Sequence, residues 1–395
     1  MHTVCCATVA DVPVPVPSEE EAVHGPPNAA EAQALAAGVA WAAAPAAGLT
    51  NLQRLLIEAL FKELTGNVVD VGDRREVTPQ EFAQLLARRN LVVRERMVQV
   101  MLLCALVLRP LPRDVAQRID AFAAELGVDD GMARVAEDFA KHSYKLAARD
   151  FDRNGYVETW HPEDAAELHT NAALGSAWDE DVDDPELAAR WAALGDLPRG
   201  TLGRGVWELY EARGFVFPGL PGSASPLLAQ HDWVHVLADY GTTVESELEV
   251  FGFIARANDD MRAFSLLAMV VSLFETGSLK TGAGLFEASP GHLSAHECVA
   301  LRLADAMRRG AQCHDTVTGA TSVDFLRIDW FSVAALSLED ARARFAIPPK
   351  SDDARAAGTV GPWEPGGISP YQLNSGQQAA AAAGRVYDSY GATPE

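Results

Sequence analysis

Cysteine, basic charge and long apolar runs are all scarce in this chain, and each scarcity removes a class of protein. Five cysteines, Cys5, Cys6, Cys104, Cys298 and Cys313, form no C-x-x-C pair and no even framework. That argues against a disulfide-stapled secreted domain and fits a reducing compartment. Lys and Arg total 32 against 55 Asp and Glu, for a net charge of -23. Neutralising a phosphate backbone needs clustered cations, so no nucleic-acid partner is expected. The uncharged stretch 34–49 is alanine-rich, contains Pro45, and is shorter than the ~20 strongly apolar residues of a membrane span. The N-terminus has neither the basic residues nor the apolar core of a secretory signal. A cytoplasmic protein is expected, with peripheral attachment to a membrane left open.

What is present in quantity is alanine and leucine. Hydrophobic residues make up 48% of the 395, enough for real cores, and runs of Val, Ile and Thr are few. The expected fold class is all-α, with two helical domains, the C-terminal one containing a metal-binding helical hairpin. Residues 1–49 read as a disordered leader rich in Ala and Pro, 50–178 as a helical domain, 179–185 (DEDVDDP) as an acidic linker, 186–348 as the second helical domain, and 349–395 as a disordered tail. Within the first domain, Thr78-Pro79-Gln80-Glu81 has the form of a helix start, with cap, proline and acidic residue in order. Helices are predicted over 92–108, 111–126 and 132–148, with Asn51 a cap for the first firm helix. The helix order and the segment LPRDVAQRIDAFAAELGV resemble the tellurite-resistance TerB-like helical fold.

The chemistry concentrates in QHDWVHVLADYGTTVESELEVFG, residues 230–252. His231 and His235 lie one helical turn apart and about 40° apart around the axis, so both can face one ion. Asp232 stands about 100° from His231, at the edge of that face. Asp239, a further turn along, is a candidate acceptor for an imidazole N–H. Glu247 would lie about 18 Å from His235 on an unbroken helix. Gly241 reads as a helix stop, however, and Thr242 with Glu245 as a capping box for the next helix. His235 precedes Gly241 by six residues and Glu247 follows it by six, so a helical hairpin with equal arms brings them level. Such a set could hold zinc, iron, manganese or magnesium; imidazole and carboxylate ligation does not choose among them.

H-D-x-x-H followed after eleven residues by Glu resembles the signature of the ubiquinone biosynthesis family named as the fourth coenzyme Q protein. The flanking segments LPRGTLGRGVWELYEARGF and IDWFSVAALSLEDARARFAI are similar to it too, so the resemblance covers about 186–348. It implies that His231, Asp232, His235 and Glu247 are metal ligands, with no catalytic residue identified beyond them. It implies an all-helical protein that associates with membrane surfaces and a prenyl-lipid-like ligand, as a homodimer or within a biosynthetic complex. It further implies work on a prenylated quinone precursor, namely oxidative decarboxylation with hydroxylation of the ring. Two departures stand out: Ser246 where the family often has Gly, and the long N-terminal helical portion.

Two other functions compete. One is a non-catalytic lipid-binding or assembly protein in which the metal staples two helices. The other is a metal-dependent hydrolase, because His231-Asp232 is a doublet like that of helical phosphohydrolases and H-D-x-x-H resembles the H-E-x-x-H of zinc peptidases. Elsewhere, 150–155 (DFDRNG) supplies the first half of a calcium loop, but His161 stands where a bidentate Glu belongs, so a turn is the plainer expectation. His292, His296 and Glu297 read as a helix surface, and the apolar run 261–274 as a core helix or the wall of a lipid groove.

Overall fold

The computed structural model describes residues 25–72, 75–108, 112–128, 183–224, 226, 228–258, 267, 271 and 298–394. The 150–155 turn, the helix expected over 132–148, nearly all of 261–274 and the 292–297 histidine group lie outside them. Among the described residues the architecture is all-helical, without strands; two isolated bridges, Thr201 with Ser337 and Pro365 with Thr393, are the extended pairings they contain.

The helices are α1 (Ala29–Ala43), α2 (Asn51–Thr65), α3 (Pro79–Leu85), α4 (Leu91–Leu106), α5 (Arg113–Glu125), α6 (Pro185–Ala193), α7 (Leu202–Arg213), α8 (Gln230–Ala238), α9 (Val244–Ala257), α10 (Val299–Gln312), α11 (Trp330–Val333), α12 (Leu338–Arg344), α13 (Asp352–Ala356) and α14 (Pro370–Ala382). Their starts follow the capping chemistry of the sequence. Thr78 and Glu81 form the expected capping box with Pro79 in the first turn. Thr201 caps α7, and Gly214 ends it in the left-handed region. At α2 the cap is Thr50, in a reciprocal box with Gln53, and Asn51 is already helical. Asp184, assigned from composition to the linker, accepts from the Leu187 amide and caps α6, with Pro185 in its first turn.

Where they are described, both expected disordered ends need correction; residues 1–24 of the leader lie outside the described residues. Residues 29–43 form α1, capped by Asn28 and buried along Ala32, Leu35, Ala36 and Val39. Alanine is the best helix former, and small residues let helices approach. Gly38 shows how closely: a Cβ there would meet the Phe82 ring at 2.2 Å. Arg118 reaches back to the carbonyls of Ala42 and Ala44 at the end of α1. At the other end, α13 and α14 are ordered helices, and Ile368, Ala380 and Ala392 are buried. α14 packs on α7 so tightly that a Cβ on Gly376 would lie 2.1 Å from the Ala212 carbonyl oxygen. Few bulky residues meant close contact at these ends.

One cluster of buried side chains runs from Ala32 in α1 to Phe345 just after α12. α10 is central to it, packing against both α9 and α2. Its contact with α9 uses two glycines. Gly310 faces the backbone, where a Cβ would meet the Phe253 carbonyl oxygen at 2.1 Å, while Gly252 faces the flexible Leu303 methyl at 2.5 Å. Gly310→Ala should therefore destabilise more than Gly252→Ala, by about 1–3 kcal/mol at the former, because backbone cannot rotate aside. Urea unfolding of both variants checks this, and equal midpoints would contradict it.

Candidate metal centre

α8 is buried from His231 through Ala238. A helix covered on every side normally carries apolar residues throughout, as Trp233, Val234, Val236, Leu237 and Ala238 do here. His231, Asp232 and His235 are the exceptions, each at most 1% exposed. Their ligand atoms lie within 4.8 Å of one another.

The chain then reverses, at a different residue from the one the sequence suggested. Asp239 takes the left-handed conformation (φ 65°) and ends α8, whereas Gly241 does not adopt positive φ. Asp tolerates that region better than most side chains. Gly241 is required for another reason: a Cβ there would sit 2.9 Å from the Cα of Gly367. α9 is capped by Thr243, not Thr242. Thr242 is buried instead, accepting from Arg213 Nε at 2.6 Å and donating to Gln372 Oε1 at 2.8 Å.

The reversal brings Glu247 back onto the histidines. Its Oε1 lies 3.4 Å from His235 Nε2 and its Oε2 lies 3.5 Å from His231 Nε2. Asp232 Oδ1 lies 3.5 Å from His231 Nε2. Glu247 thus lies against both histidines, and His231, Asp232 and His235 form a group whose ligand atoms could hold one ion. Burial alone would raise the Glu247 carboxyl, but the imidazoles of His235 and His231 outweigh it and hold the group far below the usual carboxylate range.

The other side of each ring is fixed by the backbone. His231 Nδ1 is 2.5 Å from the Leu228 carbonyl oxygen, and His235 Nδ1 is 2.6 Å from that of Gly241. A carbonyl can only accept, so Nδ1 of each ring carries a proton and Nε2 is directed at the carboxylates. At 3.4–3.5 Å those contacts are longer than charge-assisted hydrogen bonds. His235 Nε2 and Glu247 Oε2 have no hydrogen-bond partner among the described residues. Nitrogen and oxygen atoms arranged around a centre, rather than bonded in pairs, fit a bound cation. Asp239, the acceptor anticipated for an imidazole, faces the other way: it pairs with Lys350 at 3.1 Å and Arg342 at 3.8 Å.

Several residues that shape this centre were not legible as such. Tyr210 donates its hydroxyl to Asp232 Oδ2 at 2.5 Å. Phe251 stacks on His231, with ring centres 5.1 Å apart. The C-terminal segment holds the loop between α8 and α9: the Gly241 amide donates to the Val360 carbonyl, the Thr242 amide to that of Gly367, and Gln372 Nε2 to the Thr242 carbonyl. Arg213, fully buried, ties Thr242 to the carbonyls of Pro362 and Gly367. A signal for Arg213 did exist, because it shares the buried face of α7 with Val206, Leu209 and Tyr210.

Gln372→Ala should remove the donor to Thr242 and leave a buried carbonyl and hydroxyl to find new partners. The expected loss is about 1–3 kcal/mol in urea unfolding. Amide exchange at residues 240–242 should accelerate with it. Unchanged exchange there would mean that the C-terminal segment does not hold the loop.

No protein-family model matches this chain, and no curated protein matches it. Among solved structures, one from Nostoc punctiforme, described as a "Putative ubiquinone biosynthesis protein", matches at 16% identity, covering 65% of this chain and 98% of that one with a TM-score of 0.27. A superposition that loose is too weak to transfer anything from that protein to this chain, and the site stands on its own geometry.

Proposed function

We propose that this chain binds a divalent metal through His231, Asp232, His235 and Glu247, and that the centre serves chemistry on a hydrophobic aromatic acid of the prenylated-quinone-precursor kind. The observation that carries the metal reading is the orientation of the two imidazoles. Each has Nδ1 committed to a backbone carbonyl and Nε2 turned toward buried carboxylate oxygen. Zinc, iron, manganese and magnesium are the candidate ions.

A metal held there would act as a Lewis acid toward a carboxylate or phenolate and, if redox-active, would engage oxygen. The protein's own residues do the rest. Leu228 and Gly241 fix the imidazole planes, and the apolar walls of α8 and α9 keep water from the donor atoms. Apolar side chains also lie on the Asp232 side. Phe215 and Phe217 are only half-buried and pack on Tyr210, with exposed Val216 and Leu220 in the same loop. That loop suits a greasy ligand, and a membrane surface offering one. The reaction class itself, oxidative decarboxylation with ring hydroxylation, is supported by the sequence resemblance of 186–348. No helix among the described residues is long and apolar enough to cross a membrane.

A stapling role is the second reading, favoured by one observation: all four residues are at most 1% exposed. Turnover separates the two. Purified protein should carry about one metal ion per chain, as a four-ligand site requires. His235→Ala and Glu247→Ala should each lose it by elemental analysis. Chelation should lower the melting temperature, and metal at ~100 times its Kd should restore about 2.7 kcal/mol. Wild-type protein that neither retains nor is stabilised by any of the four metals would sink the proposal. Metal-loaded protein that leaves carboxylated prenyl-aromatics unchanged under oxygen would leave only the staple.

A further inference from the structure

The structure assigns a role to Tyr210: we propose that it is a positioning residue of the metal centre, holding Asp232 so that only Oδ1 is offered to the ion. The inference rests on the metal reading above. Tyr210 lies on α7, 22 residues before Asp232, and is fully buried. Its hydroxyl donates to Asp232 Oδ2 at 2.5 Å, while Oδ1 faces the site, 3.5 Å from His231 Nε2. The carboxylate is therefore divided between two tasks. One oxygen accepts a short hydrogen bond that fixes the carboxylate plane, and the other points at the imidazoles. Hydrogen-bond partners of ligating carboxylates fix their orientation and tune metal affinity.

The phenol ring does not need its hydroxyl to stay in place. Trp191 lies at 5.0 Å between ring centres, Phe215 meets it edge-on at 5.5 Å, and Phe217 stacks on it at 5.5 Å with planes 18° apart. Removing the oxygen alone should leave the ring where it is. Asp232 would then lose the donor that meets its Oδ2, and the carboxylate plane would be held less firmly. The hydroxyl thus tunes the ligand without building the fold.

The test uses the full chain, stripped of metal and titrated with Co(II), in wild type, Tyr210→Phe, Asp232→Asn and the double variant. In Tyr210→Phe the Co(II) Kd should rise about 10–100-fold, and the visible cobalt bands should shift. The metal-free variant should keep its fold while unfolding at a lower urea midpoint, the cost of a buried carboxylate oxygen deprived of its donor. In the Asp232→Asn background the same change should have little further effect on Kd, because the group it positions is gone. An unchanged Kd and spectrum in Tyr210→Phe would overturn the proposal. So would a weakening that persists undiminished in the double variant. If Tyr210→Phe fails to fold, 3-fluorotyrosine at 210 keeps the ring and strengthens the donor. The cobalt bands must then move, and their constancy would equally refute it. Wild type that binds neither Co(II) nor any of the four candidate ions overturns the metal reading itself and is told apart by its own titration.

Discussion

The contact between His235 Nδ1 and the Gly241 carbonyl, 2.6 Å long, ties the ring of α8 to the loop that reverses the chain. The same peptide thus decides two things: how the imidazole is turned, and where α9 begins its return with Glu247. Rotating that carbonyl away would leave a buried donor unmet and would free Nε2 to turn from the carboxylate. Such an arrangement is strong only while the peptide itself is held. Its own amide, the Thr242 N–H, donates to the Gly367 carbonyl, the preceding amide donates to that of Val360, and the next carbonyl accepts from Gln372. The geometry at His235 therefore depends on chain more than a hundred residues away.

Placing two imidazoles and two carboxylates where all four residues are buried is costly. The isolated charges lose several kcal/mol of solvation each, and pairing recovers that only with good geometry. The neighbouring Arg302–Glu249 pair, 2.6 Å apart and buried, shows what good geometry looks like here. The contacts around Glu247 are about an ångström longer. Of two glutamates two residues apart, Glu249 has one oxygen paired closely with a cation, whereas Glu247 stands 3.4–3.5 Å from two imidazole nitrogens. On the proposed reading, metal binding and stability are linked, and the aromatic shell in which Trp191 meets Trp233 edge-on and Trp233 stacks on Trp330 supplies the rigid frame.

The candidate residues were legible because helix geometry is local. A spacing of four places His231 and His235 on one face, and a break midway to Glu247 folds the second arm back; both follow from periodicity. The residue making the break was misread, since glycine is the usual left-handed residue and nothing in the sequence marks Asp239 over Gly241. Asp239 can take that role here because Lys350 and Arg342 meet its side chain, and these come from distant chain. Tyr210 was invisible for the same reason: a hydroxyl meeting a carboxylate across 22 residues leaves no periodic trace. The two ends failed differently. Small residues were counted as a lack of core, yet Gly38 and Gly376 sit where any larger residue would collide, so smallness was the packing signal.

Ser246 is held by contacts from two elements. It stands beside Glu247, fully buried in the first turn of α9, and its amide donates to the Thr243 cap. A Cβ built on Gly241 would come 3.2 Å from its hydroxyl oxygen, so that oxygen fills space which the glycine leaves open. The hydroxyl also lies 3.5 Å from Arg302, the partner of Glu249. A glycine at 246 would surrender both contacts and bring a weaker helix former into α9. The serine instead joins the reversing loop to α10 through a guanidinium already in place. Glu247, the next residue along, inherits a backbone fixed from both sides.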